Sequence, residues 1–290
     1  MLQSSLRTPP GHASRMNPVL DGIYGMFPES PHQKLVEKEY DPATLYDWDR
    51  YDNAKVDAFL LCFANRSGST YLANHMASLG VFSERTLHNN FEYFTGPIIL
   101  NFLRQNPDAR FPEFMAHLIK NFTSQSGYFS AKLSIDIVVW LTRTGAMARC
   151  FRAPRFLTII RRNIIAQAIS HVIAMQTSQW TSLKRTKDAT LTFNPDEIAA
   201  SVRRIAVGRA LSEVFFTFHG ITPIEFVYED IVADPTLIRT TLSGIVDPSR
   251  MNNVPPPLRL ERQATGLNAE WEERFRQLFP KLVADVGSPA

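Results

Sequence analysis

Apolar and polar positions fall in blocks along this chain rather than alternating residue by residue. The run Ala58–Ala64 (AFLLCFA) is short and apolar throughout, as expected of a strand covered on both faces. It breaks into Asn65-Arg66-Ser67-Gly68-Ser69-Thr70. Leu72, Met76 and Leu79 then recur at helical spacing, and Gly80 stands where a helix would stop. The same succession returns later. Arg155–Ile160 (RFLTII) reads as a strand and Arg161-Arg162-Asn163 as a polar turn. A stripe of Ile165, Ile169 and Val172 follows, behind an Asn163 placed to cap it.

Between and beyond these units, Val81-Phe82 reads as the start of a short strand. Phe111–Phe122 reads as a helix, with Phe114, Leu118 and Phe122 on one face, and Tyr128–Ile137 as a strand carrying Lys132. Asn194-Pro195-Asp196 opens a helix with a cap and an N1 proline, and Ile198, Val202, Ile205 and Ala206 give it a buried face. Pro223–Tyr228 is a further strand, leading through Glu229-Asp230 to a helix start at Asp234-Pro235. Strands alternating with helices predict an α/β fold, a mostly parallel sheet with helices on both faces.

The ends read differently. Residues 1–55 are rich in Pro, Gly, Asp and Tyr, with Pro9-Pro10-Gly11 and Pro28-Glu29-Ser30-Pro31 as breakers. They are expected to form an N-terminal extension to a domain of residues 56–290. Tyr46, Trp48 and Tyr51 would pack as an aromatic arm on that domain or on a second copy in a homodimer. Val254-Pro255-Pro256-Pro257 sets off a C-terminal piece ending in an amphipathic helix on Trp271, Phe275 and Leu278.

Composition adds mainly exclusions. Among 290 residues, 31 basic against 28 acidic side chains leave +3, too little to imply nucleic acid or a membrane surface as partner. Cys62 and Cys150 read as buried thiols rather than a disulfide or a zinc site. No apolar run approaches the ~20 residues of a spanning helix, and the first residues lack the apolar stretch of a signal peptide. The expectation is a soluble, cytoplasmic protein without a transmembrane segment.

The chemistry gathers at 65–70. A tight loop between strand and helix aims backbone N–H groups and the helix dipole at one place, an anion site. Gly68 permits a tight turn or a close approach; Ser67, Ser69 and Thr70 add hydroxyls and Arg66 a fixed charge. Against G-x-x-x-x-G-K-[ST] aligned on Gly68, Phe63 replaces the first glycine and Ser69 the lysine, and only Thr70 fits. A Mg²⁺-dependent kinase or NTPase is therefore the weaker alternative. G-x-G-x-x-G is absent as well.

Arg66-Ser67-Gly68-Ser69-Thr70 after an apolar strand resembles the 5′-phosphosulfate loop of the bacterial trehalose 2-sulfotransferase-like family. Three further segments resemble that family in the same order. They are Glu92-Tyr93-Phe94; Arg161-Arg162…Gln167-Ala168-Ile169-Ser170…Gln176-Thr177…Trp180; and Leu260-Glu261-Arg262-Gln263-Ala264…Glu270-Trp271. Asn163 departs from the pattern, being often acidic in the family. The resemblance implies a P-loop-like sulfotransferase fold and transfer of a sulfuryl group from 3′-phosphoadenosine 5′-phosphosulfate (PAPS) to a hydroxyl of a sugar or glycolipid. Adenosine 3′,5′-bisphosphate would be the product, and no metal would be required. A relative that binds the nucleotide without catalysis is the non-enzyme alternative.

In-line transfer relies on positioning and charge stabilisation, roles for Arg66 and the loop amides. The acceptor hydroxyl needs a base, for which Glu84, His88 and Glu92 are candidates. Burial among Phe91, Tyr93 and Phe94 would make Glu92 the stronger base, and the resemblance also implies Glu92. A 3′-phosphate wants a guanidinium and a hydroxyl: Arg161 or Arg162 with Ser170, closed over by Arg262, Thr265 and Gly266. Lys132 matches a family lysine and, like His88, is a candidate for contact with the acceptor; a solvated lysine on a strand edge is nearly as good a reading. Gln167, Gln176, Thr177 and Trp180 are expected to touch cofactor or acceptor.

Overall fold

The computed structural model describes residues 22–83, 91–180, 191–252 and 266–279. Four parallel strands form the sheet: β1 (Val56–Phe63), β2 (Tyr128–Leu133), β3 (Phe151–Ile160) and β4 (Ile224–Val227). Their order is β2-β1-β3-β4. Leu61 lies opposite Lys132 on one side and Leu157 on the other. Ala58 through Cys62 are all buried, and successive strand residues face opposite sides, so both faces of the sheet are covered. Pro154 is tolerated in β3 because β4 pairs only with Leu157–Ile160, which leaves the first half of that edge without a ladder to interrupt.

The chain leaves β1 towards β2 on one side and leaves β3 towards β4 on the other. The crevice between the carboxyl ends of β1 and β3 is thus the switch point where open α/β sheets take ligands. Two loops meet there. One joins β1 to α2 (Ser69–Ser78); the other joins β3 to α7 (Ile164–Thr177).

The remaining helices of five or more residues among the described residues are α1 (Pro31–Glu37), α3 (Gly96–Gln105), α4 (Phe111–Phe122), α5 (Ile135–Arg143), α6 (Ala146–Cys150), α8 (Pro195–Phe218), α9 (Tyr228–Ala233), α10 (Thr236–Ser243) and α11 (Gly266–Arg276). Local chemistry sets several boundaries. Asn163 Oδ1 accepts from Ala166 N–H and caps α7; Asn194 Oδ1 accepts from Asp196 and Glu197 N–H and caps α8. Gly80, at φ 75°, ends the unit that begins with β1.

Three expectations change. Val81 and Phe82 are buried in a bend, not a strand. The strand expected over Tyr128–Ile137 stops at Leu133; Ser134 becomes the N-cap residue of α5, whose Ile137, Val138, Trp140 and Leu141 are buried. Leu278 lies past the end of α11 and is exposed, so Trp271 and Phe275 alone form that helix's buried face.

The described part of the leading segment, residues 22–55, is packed and not free-standing. Tyr24, Phe27, Val36, Leu45 and Trp48 belong to the same buried cluster as the sheet, and α1 packs on α3. Tyr46 donates to Glu37 and accepts from Trp140 Nε1, both at 2.8 Å, and Trp48 Nε1 donates to the Thr144 carbonyl. A second, smaller core joins α7, α8 and α11 through Ile169, Val172, Ile198, Ile205, Trp271 and Phe275.

Candidate active site

The β1–α2 loop is shaped by two residues with left-handed backbone, Arg66 at φ 62° and Gly68 at φ 94°. Gly68 is the N-cap of α2 and offers no side chain to the first-turn N–H groups, which are left for an outside acceptor. A Cβ at Gly68 would lie 2.1 Å from the Tyr228 ring, so glycine is required for conformation and for space. Ser67 is buried, and its hydroxyl has no hydrogen-bond partner among the described residues. A buried hydroxyl in that state beside uncapped N–H groups fits a site that takes an anion.

Arg66 Nε donates to Ser170 Oγ at 2.9 Å, and its Nη1 donates to the Trp180 carbonyl at 2.6 Å. Residues expected at the two ends of a bisphosphate are therefore in direct contact. Burial pushes the Arg66 guanidinium below its usual range, and the positive charge of Arg161 adds to that effect. Two cations that repel each other in a buried setting favour an anion between them.

The adjacent arginines divide. The Arg161 side chain is mostly buried, its guanidinium lies over the Tyr228 ring, and its Nε is 3.8 Å from Glu229, which allows electrostatic pairing but not a hydrogen bond. Arg162 is largely exposed and engages Asp230 bidentately, with both contacts at 2.6 Å. Arg161 is the member that faces the crevice.

On the β2 side, Lys132 Nζ donates to Glu92 Oε1 at 2.8 Å and to Thr70 Oγ1 at 3.0 Å, and lies 4.7 Å from the centre of the Phe63 ring. Its side chain is 1% exposed while that of Glu92 is 39% exposed. Lys132 is thus not the solvated strand-edge lysine of the weaker reading, although β2 is an edge strand; the burial expected for Glu92 falls on Phe91, Tyr93 and Phe94 instead. Glu92 is held by its ion pair and by the backbone: Phe91 sits at φ 64°, and its carbonyl accepts from Lys132 N–H at 2.8 Å.

The glutamines and their neighbours serve as supports. Gln167 is fully buried, donating to the Asn65 carbonyl and accepting from Arg209, each at 2.8 Å. It pins the loop, and both ends of its amide are taken up by that, so the cofactor or acceptor contact expected of it is not what the structure shows. Gln176 makes paired hydrogen bonds with the backbone of Thr192, and Thr177 bonds within the last turn of α7. The Trp180 ring is half exposed and lies beside His171. Gly266 opens α11 with open space around it among the described residues. His88, Arg262, Thr265 and the alternative base Glu84 lie outside the described residues.

Two residues at the site carry no sequence motif that marks them. Tyr228 packs against Gly68 and under Arg161. His171, buried on α7, pairs with Ser201 at 3.1 Å and contacts Asn65 at 3.4 Å. Burial, then Arg204 and Arg66, lower its imidazole from 6.5 to about 4, so it is a neutral structural group. Its position one residue after Ser170 is the only hint in the sequence. Among the described residues, no group of three His, Cys, Asp or Glu side chains stands together as a metal site.

Comparison with known proteins places this arrangement. The family model described as Stf0 sulphotransferase matches residues 58–278, well over half of the chain. The chain belongs to that family. A stretch of 131 residues, 44% of the chain, is 28% identical to a trehalose 2-sulfotransferase of Mycobacterium tuberculosis (strain ATCC 35801 / TMC 107 / Erdman). The match spans about half of that relative, 48% of its length. Among solved structures, a sulfotransferase domain from the curacin biosynthetic pathway aligns at 18% identity and a TM-score of 0.36, covering 76% of this chain and 83% of that one. A sulfotransferase domain from the Synechococcus PCC 7002 olefin synthase aligns at 13% identity and 0.35, covering 80% and 98%. Family membership agrees with the α/β fold. No described helix is long and apolar enough to cross a membrane.

Proposed function

We propose that this protein is a PAPS-dependent sulfotransferase acting on a hydroxyl of a carbohydrate or glycolipid, with Glu92 as general base. The observation that carries the reading is Lys132, which links Thr70 of the anion loop to Glu92 with two hydrogen bonds. One buried cation thus ties the nucleotide side of the site to the proton acceptor. The name of the Mycobacterium tuberculosis relative supports a sugar hydroxyl as acceptor.

The residues present fit a bisphosphate. The uncapped start of α2, the Ser67 hydroxyl and Arg66 suit the 5′-phosphate, while Arg161 and Ser170 suit the 3′-phosphate. When bound, PAPS supplies a sulfuryl group whose transfer to the acceptor oxygen leaves adenosine 3′,5′-bisphosphate and frees the hydroxyl proton. Glu92 takes that proton. Arg66 and the loop N–H groups hold the charge that collects on the phosphate, and Lys132 fixes the carboxylate between loop and acceptor.

Calorimetry tests the nucleotide assignment. Adenosine 3′,5′-bisphosphate should bind roughly 10- to 150-fold more tightly than AMP, the worth of one charge-assisted phosphate contact. Equal affinities would remove the 3′-phosphate site. Glu92→Gln should retain that binding and lose roughly 10²- to 10⁴-fold in transfer. Full activity would hand the base role to another residue, and binding without transfer by the native chain would favour a non-catalytic relative.

A further inference from the structure

Beside Glu92 and Lys132 opens a cleft of about 890 Å³. It runs from the carboxyl ends of β1 and β2 along the underside of α8. That volume lies near the top of the roughly 300–1,000 Å³ range of small-molecule sites. Polar and charged side chains, Asp136, Arg209, Glu213 and Glu225 among them, contribute to its lining, but most of the wall is carbon. Phe63, Ile137, Val207, Leu211 and Phe216 line it, and Pro31 closes it from the leading segment. Val207 is half exposed although it has a cleft to face.

A free sugar carries a hydroxyl on nearly every carbon, and each hydroxyl turned towards the carbon part of that wall would lose its hydrogen bonds to water without replacement. An acceptor with a hydroxylated head and an apolar tail meets no such penalty. Its head reaches Glu92 and Lys132, and its tail removes apolar surface of α8 and α5 from water.

We infer that the acceptor is an amphiphile of glycolipid type, its hydroxyl-bearing head at Glu92–Lys132 and its alkyl part in the cleft between Val207, Leu211, Phe216 and Ile137. This deepens the sulfotransferase reading and rests on it for the identity of the reaction. It also assigns part of acceptor choice to Pro28, Pro31 and His32, which line the cleft yet precede the family-matched region that begins at residue 58.

The test is a series of n-alkyl β-D-glucosides from methyl to octyl, below their micelle concentrations. Each is titrated into the full-length protein saturated with adenosine 3′,5′-bisphosphate. Affinity should rise about threefold to fourfold for each methylene the cleft buries, roughly a hundredfold or more from methyl to octyl. Val207→Glu, at a half-exposed position that leaves the nucleotide loop untouched, should cut that gain to less than about tenfold with nucleotide affinity unchanged. A flat series overturns the inference. That would follow if residues 1–21 already fill the cleft, or if it admits only a polar acceptor of sugar size. A gain that survives Val207→Glu overturns it too, since the alkyl chain would be binding elsewhere. A parallel assay with labelled PAPS separates the two claims. Chain-length-dependent binding without sulfated product keeps the cleft assignment and removes the enzymatic reading. Sulfation of free trehalose with no gain from an alkyl chain does the reverse.

Discussion

The Lys132–Glu92 pair is unequally buried, and that inequality has a measurable sign. Glu92→Leu leaves the Lys132 ammonium, 1% exposed, with one hydroxyl and one aromatic ring for company. An uncompensated buried charge of this kind costs about 3 kcal/mol. Lys132→Met leaves a carboxylate that water already reaches, and the lost pair and the lost bond to Thr70 cost only about 1 kcal/mol. Removing the more exposed partner is therefore the more destabilising change, by about 2 kcal/mol. For a chain of this size that is roughly 4 °C in Tm. Glu92→Gln, which keeps an oxygen for Lys132 to bond, should fall between the two. Thermal and urea unfolding of the three variants decides the matter. If Lys132→Met proves as costly as Glu92→Leu or more so, Lys132 is not held by Glu92 in the way described.

Gly68→Ala should lose about 2–5 kcal/mol from its positive φ and its clash with Tyr228. In a Tyr228→Ala background the same change should cost only the backbone part, and equal costs in both backgrounds would clear the ring of blame. Arg161→Ala should weaken adenosine bisphosphate binding about tenfold or more, whereas Arg162→Ala, whose guanidinium is committed to Asp230, should change it by less than about threefold; the reverse order in calorimetry would exchange their roles. His171 gives a pH signature. Unfolded chains take up its proton below about 6.5 and the folded protein only below about 4, so between those values the unfolded state binds more protons. Stability should therefore fall as pH drops from 6.5 to 4, and His171→Gln should flatten that slope; an unchanged slope in unfolding midpoints would assign the effect to other groups.

What is legible in the chain is what is locally determined. The β1 strand, its loop and α2 are contiguous, and Asn163 and Asn194 cap the helices that follow them, so spacing and residue type suffice. Ser134–Ile137 misleads because Ile135 and Ile137 are strand formers by preference; packing of Trp140 and Leu141 into the core decides for helix. The choice between Arg161 and Arg162 depends on Asp230, 68 residues from Arg162, and the role of Gln167 on the carbonyl of Asn65, 102 residues away. Tyr228 carries no local mark, because nothing in a tyrosine before two acids says that a glycine far back in the chain makes room for it. Glu92 is legible, but its surroundings are not. Its ion pair needs the register that sets Lys132 beside the loop, which only the folded sheet supplies.

Asn163 uses both ends of its amide, with a consequence for how this site can change over evolutionary time. Its Oδ1 caps α7 while its Nδ2 donates to Glu272 of α11 at 2.8 Å. An aspartate there would cap equally well but would set two carboxylates face to face. Positions 163 and 272 can thus be altered together far more easily than singly. A lineage that acquired an acidic residue at 163 would need a compensating change at the far end of the chain.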